Sequence, residues 1–193
     1  KKNYSILNKK FVKIFKKKKF LGRLIVPKAK DYKKIKIKIK NNYLSSSIND
    51  ENMSFIYAFS KLLKIREQSF INSMKSFQGL PHRFEIFFKK KNLTFINDSK
   101  ATSFKATQLA LSSLKNIYWI LGGLPKKDDK INLSKYKKNI IKCYIVGKNT
   151  NFFKKQVKGK IRFLITKNVK KSIIQIIKDI KHQASSEKSI LLS

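Results

Sequence analysis

Between residues 84 and 192 the chain switches its hydrophobic period repeatedly, and this alternation restricts the possible folds more than any other feature. "RFEIFFKK" and "LTFIND" are runs of β-branched and aromatic residues parted by a short basic turn, which predicts a hairpin. A helix is expected from about Ser103 to Leu114, followed by a strand at "IYWILGG". "IIKCYIVG" and "IRFLIT" read as further strands. Val169, Ile173, Ile176, Ile177 and Ile180 then repeat at helical spacing along one face, and "SILLS" begins a last strand. Strands alternating with helices predict an α/β fold whose sheet is mostly parallel, covered on both faces and opened by the hairpin.

Upstream the pattern is mixed. "FLGRLIVPKAK" reads as a short buried strand ended by Pro27. "IKIKIK" alternates strictly from Ile35 to Ile39, the period of a half-solvated strand with lysine outward. "SSSINDENM" offers N-caps to a helix with Phe55, Ile56, Phe59, Leu62 and Leu63 on one face. A second helix carries Phe70, Ile71, Met74 and Phe77, and Gly79 and Pro81 stop it.

Composition excludes some classes. A chain of 193 residues that is 41% hydrophobic can bury a core and is too apolar for a disordered tail. No apolar run is long enough to span a bilayer, and nothing at the start reads as a signal peptide. Cys143 is the single cysteine, so no internal disulfide can form, a cytoplasmic setting is expected, and the thiol reads as a small buried hydrophobe. The net charge of +37 raises a nucleic-acid-binding domain as an alternative. Against it, arginine occurs only at Arg23, Arg66, Arg83 and Arg162, and the lysines are spread along the chain rather than gathered on one face. Lysine, isoleucine, asparagine and phenylalanine are enriched together, as codon drift toward A and T would give. No specific nucleic acid and no membrane partner are therefore expected.

The residues that break the lysine monotony gather at strand ends. Arg83 follows Gly-Leu-Pro-His, where a rigid turn could aim a guanidinium at phosphate. Asp98 ends a strand and could accept hydrogen bonds from sugar hydroxyls. Ser99, Lys100 and Thr102 stand at the start of a helix, whose free amides and dipole favour an anion. "LGG" at 121–123 closes another strand, with Lys126 just beyond. Each also has a plain reading: Asp98, Ser99 and Thr102 as helix caps, Arg83 as a surface ion-pair partner, His82 as a turn residue, the lysines as solvated side chains.

The order and spacing of "GLPHRFE", "NDSKAT" before a helix, and "ILGG" with Lys126 resemble the Mur ligases, most closely their D-glutamate-adding branch. "SINDEN", with Asn49 and Asn52 some thirty residues before "LPHR", fits as well, and the resemblance runs from about residue 45 onward. Terminal "ILLS" is similar to the start of that family's next motif. A sibling ligase such as a folylpolyglutamate synthase is the other alternative.

The resemblance implies residues 1–78 as the tail of an α/β P-loop ATPase central domain, 1–44 of it by position alone. Residues 79–193 would be most of a Rossmann-like C-terminal domain, truncated at its end. It further implies ATP contacts at Asn49, Asn52, His82, Arg83 and Asp98, and D-glutamate contacts at Lys100, Thr102 and Lys126, with Lys127 an alternative to Lys126. Arg83 and Lys100 would be catalytic. The implied reaction is phosphorylation of the substrate carboxylate by ATP, attack of the D-glutamate amine on the acyl phosphate, and release of phosphate. The second substrate would be UDP-N-acetylmuramoyl-L-alanine and the enzyme a cytoplasmic monomer. No Gly-x-x-x-x-Gly-Lys-[Ser/Thr] occurs in the chain, so the phosphate cradle and the magnesium ligands are expected upstream, with no metal ligand here. Ser103 departs from the asparagine common in the family.

Overall fold

A computed structural model describes residues 3–18, 22–41, 43–44, 49–181 and 186–193. They form two compact units, Lys1–Gln78 and Gly79–Ser193.

In the first unit, strands β1 (Tyr4–Ile6) and β2 (Arg23–Ile25) pair in parallel, joined through helix α1 (Val12–Lys17). Helices α2 (Ala29–Ile39), α3 (Asp50–Leu62) and α4 (Glu67–Lys75) follow. The Ile35–Ile39 segment is therefore helical, not a strand. Alternation of isoleucine and lysine also puts Ile35 and Ile39 one helical turn apart, in line with Tyr32, and these three are buried while Ile37 is 77% exposed. Lysine is a good helix former, so the local preference agrees.

The buried face of α3 also differs from the expected one. Met53, Ser54, Tyr57 and Ser60 are buried, whereas Ile56, Phe59 and Leu63 are exposed. Ser54 and Ser60 fit inside because their hydroxyls donate to the helix carbonyls of Glu51 and Tyr57. Residues 45–48, expected to offer caps to this helix, lie outside the described residues, as do Phe20 and Leu21 before β2. On α4, Phe70 and Ile71 are buried, and Met74 and Phe77 pack against the same cluster. Buried Asn41 ties the unit together: its amide donates to the Met74 and Phe77 carbonyls, and its oxygen accepts from the Tyr43 and Leu44 amides.

The second unit is an α/β layer structure. Its strands are β3 (Glu85–Lys90), β4 (Leu93–Asn97), β5 (Ile117–Gly122), β6 (Ile140–Val146), β7 (Phe163–Ile165) and β8 (Lys188–Leu192). They lie in the order β3-β4-β8-β5-β6-β7, and every neighbouring pair is parallel except the β3–β4 hairpin. Helices α5 (Phe104–Ser113), α6 (Thr150–Val157) and α7 (Val169–Lys181) cover the faces. The strand period of two sorts the core. Trp119, Leu121, Cys143 and Ile145 pack with Phe104 and Leu111 of α5 and Phe153 of α6. Tyr118, Ile120, Tyr144 and Val146 pack with Ile176 of α7.

Only part of the expected α7 stripe is inside. Ile176 is buried and Ile173 and Ile180 pack on its cluster, but Val169 and Ile177 are 39% and 45% exposed. A polar network occupies the same side. The Asp179 carboxylate accepts from Lys142 Nζ at 2.6 Å, from the Tyr144 hydroxyl and from Gln175 Nε2 at 2.9 Å.

Candidate functional site

Parallel strands that end together bring their loops together, and four of them do so here. The carboxyl ends of β4, β5, β6 and β8 meet at a cleft of about 370 Å³, whose lining includes Thr102, Phe104, Gly122, Pro125, Asp129 and Ser193. Gly122 permits the close approach of β5 to β6. A Cβ there would stand 2.6 Å from both Cγ2 and the carbonyl oxygen of Val146.

The 80–84 turn is stitched onto the β4–α5 junction by its backbone. Leu80 and Arg83 form an isolated bridge, and His82 and Phe84 both adopt left-handed conformations, with φ of 64° and 47°. Such backbone is costly for non-glycine residues and persists where surrounding bonds fix it. Those bonds are present. The His82 carbonyl accepts from the Lys100 amide at 3.0 Å, and the Phe84 amide donates to Asp98 Oδ1 at 2.9 Å. The His82 amide donates to the Glu85 carboxylate at 2.9 Å, and Asn97 Nδ2 lies 2.7 Å from His82 Nδ1. His82, Arg83, Asp98 and Lys100 are thereby held at one end of the sheet.

The side chains differ in readiness. Asp98 is half-buried, and desolvation raises its carboxyl above the ordinary range, against the opposing pull of the Phe84 amide and the Arg83 charge. Arg83, Lys100, Thr102, Lys126 and Lys127 are exposed and make no ion pair among the described residues. Asn49 and Asn52 lie in the first unit. Asn49 precedes α3 and donates from its amide to the Tyr43 carbonyl at 2.6 Å, while Asn52 is exposed on the helix. Cys143 is fully buried and its thiol is pushed far up by desolvation, the behaviour of a packing residue rather than a nucleophile. Among the described residues, no three His, Cys, Asp or Glu come together as a metal site. None of their helices is long and apolar enough to cross a membrane.

Two residues at the cleft escaped the sequence reading. The first turn of α5 does not offer a wholly free set of amides, because the chain supplies an anion of its own: the Phe104 amide donates to Asp129, 3.2 and 2.9 Å from its two oxygens. Ser103 caps the same helix, accepting from the Ala106 amide at 3.3 Å. Asn149 donates to the Gly123 carbonyl at 2.9 Å, holding the turn after β5. Asp129 carried one usable signal, since it is one of only 10 acidic residues against 47 basic ones.

No protein-family profile matches the chain. Curated relatives do. It is 37% identical over 144 residues to the UDP-N-acetylmuramoylalanine–D-glutamate ligase of Wolbachia sp. subsp. Brugia malayi, covering 71% of this chain and 29% of the relative. It is 35% identical over 167 residues to the protein of that name from Wolbachia pipientis wMel, covering 83% and 33%. The Rickettsia felis protein is 33% identical over 153 residues, covering 79% and 34%. The chain thus spans about a third of the length of the curated relatives it matches. Among solved structures, MurF from Acinetobacter baumannii aligns with a TM-score of 0.55 over 76% of this chain and 35% of that one, at 18% identity, a likeness of fold.

Proposed function

We propose that this chain, homologous in sequence to the D-glutamate ligases of the Mur family, is the C-terminal part of an enzyme that joins D-glutamate to UDP-N-acetylmuramoyl-L-alanine. The enzyme works with ATP and magnesium in the cytoplasm, as a monomer, in peptidoglycan precursor synthesis. Residues 1–78 are the tail of its ATP-binding domain and 79–193 most of its C-terminal domain. The P-loop and the magnesium ligands belong to sequence outside these 193 residues.

The observation that carries the reading is the stitched turn, which sets Arg83, Asp98 and Lys100 side by side at the carboxyl ends of parallel strands. Asp98 uses one oxygen on the Phe84 amide, which fixes the carboxylate, and its other oxygen is the one assigned to a ribose hydroxyl. His82 and Arg83 reach the nucleotide, Arg83 neutralising phosphate charge, and Asn49 and Asn52 lie near the adenine. ATP supplies the phosphoryl group that activates the substrate carboxylate as an acyl phosphate. Lys100, Lys126 and Thr102 hold the two carboxylates of D-glutamate so that its amine faces the activated carbon, and phosphate leaves as the amide forms.

Steady-state kinetics of the complete enzyme test this assignment. A charge-assisted contact is worth about 1.5–3 kcal/mol, so Lys100→Ala or Lys126→Ala raises the KM for D-glutamate roughly tenfold to a hundredfold and that for ATP far less. Arg83→Ala and Asp98→Ala impair ATP use instead, and Lys115→Ala changes neither. Unchanged D-glutamate kinetics in a folded Lys100→Ala enzyme would return Lys100 to the rank of a solvated surface lysine.

A further inference from the structure

The loop from Gly123 to Asp129 lines the cleft with Gly123, Leu124, Pro125 and Asp129, carries Lys126 and Lys127 exposed beside it, and is anchored at both ends. Asn149 holds Gly123 at one end. At the other, the Asp129 amide donates to the Lys126 carbonyl at 3.2 Å, closing a four-residue turn in which Asp128 adopts a left-handed φ of 59°. The Asp129 carboxylate then docks on the Phe104 amide at the start of α5, a helix that begins just after Lys100 and Thr102. One side chain therefore joins the turn bearing Lys126 to the segment bearing Lys100 and Thr102, across 25 residues of chain.

We infer that Asp129 is the positioning residue of the amino-acid site: it sets the separation between the Lys126 and Lys100 cations and so matches them to a dicarboxylic amino acid. The inference rests on the reading of this cleft as the D-glutamate site. Both Asp129 oxygens face the Phe104 amide, where the helix dipole offsets their charge, so the carboxylate belongs to the frame of the site rather than to its ligand contacts. With the Phe104 and Ala106 amides of the helix start already taken by Asp129 and Ser103, an incoming dianion depends chiefly on side chains, and the spacing of two long flexible lysines matters only if their backbones are fixed.

A simple helix cap would give the same contact, so the test must separate capping from positioning. D-glutamate is titrated into the complete enzyme, and binding is followed by the amide chemical shifts of residues 99–104 and 122–130. Asp129→Ala weakens binding roughly tenfold, Asp129→Asn retains most of it by keeping an acceptor for the Phe104 amide, and L-alanine, with one carboxylate, shows no such dependence. Because Asp129 acts through Lys126, Asp129→Ala added to Lys126→Ala weakens binding no further, whereas a general loss of structure would add to it. Binding within twofold of the parent in Asp129→Ala, alongside weakened binding in Lys126→Ala, overturns the inference and leaves the site assignment standing, as does full additivity in the double variant. Absence of any D-glutamate-dependent shift in the parent enzyme overturns the assignment of the site, and this inference with it.

Discussion

Replacing Asp179 by alanine removes the acceptor shared by three donors on the α7 side of the sheet. Lys142 and Asp179 retain 24% and 20% side-chain exposure, and Tyr144 has none. An exposed ion pair contributes about 0–1 kcal/mol, while breaking a buried one costs about 3–5 kcal/mol because the surviving charge stays desolvated. Lys142 lies between those limits and nearer the second. The buried Tyr144 hydroxyl loses its acceptor as well, and Gln175 can turn toward water. Discounting for partial exposure and for shared effects, Asp179→Ala should destabilise the second unit by about 3 kcal/mol. Trp119, the single tryptophan, sits fully buried in this unit's core, so its fluorescence follows urea unfolding of the unit itself. The midpoint should fall with little change in slope. Lys142→Met combined with Asp179→Leu removes the charges together and should recover most of the loss, since apolar replacement of a buried pair is often neutral. A loss below about 1 kcal/mol, or a double variant as unstable as Asp179→Ala, would mean that water already satisfies these groups.

Gly122→Ala must push β5 from β6 at the cleft, because the new methyl would meet a backbone carbonyl; it should cost about 1–3 kcal/mol, read from the same fluorescence transition, whereas Gly159→Ala, open around its Cβ but at a φ of 74°, should cost only its backbone strain. In the first unit, Ile39→Lys should lower the circular-dichroism melting temperature strongly and Ile37→Lys hardly at all, and equal effects would contradict the helix. Asp98 and Asp179 should give opposite pH dependences. Desolvation raises the Asp98 carboxyl above its unfolded value, so its contribution is full below that value and is lost as pH rises through the folded one. Burial acts on Asp179 too, but the hydrogen bonds from Lys142, Tyr144 and Gln175 outweigh it and hold the carboxyl low, so its contribution is present above the unfolded value and lost as pH falls through the folded one. Asp98→Asn should therefore gain stability relative to the parent as pH rises from the carboxylate range toward neutrality, and parallel urea-midpoint curves would refute the desolvation argument.

The strands of the second unit were legible because each is a compact run of β-branched and aromatic residues whose flanks change composition. The 35–39 segment was not, since an isoleucine at every second position satisfies the period of a strand and, at every fourth, the period of a helix. Packing with Tyr32 decides between them. Hydrophobicity alone chose the wrong face of α3 because two serines bond back to their own helix and go inside. The α6 helix went unread, its "NFFKKQV" having only Phe153 and Val157 to mark the buried side. At the site, Arg83 and Asp98 stood out as exceptions to the lysine background, and Lys100 only by its place between Ser99 and Thr102. Asp129 did not, because a carboxylate that reaches a helix 25 residues earlier leaves no local spacing to detect.

The position of β8 in the sheet governs the order in which the second unit can be built. Among the described strands it is the latest in the chain, yet it lies between β4 and β5 and hydrogen-bonds to both. Until it arrives, the nascent chain holds two separate pieces, the β3–β4 hairpin and the β5–β6–β7 sheet, each with an open edge where its neighbour will sit. Leu93 waits for Lys188 across about 95 residues, a separation that makes closure slow. During that interval two strand edges are available to other chains, so the unit's exposure to misassembly is set by how soon β8 is released, and a cell short of chaperones would meet that hazard at every round of synthesis.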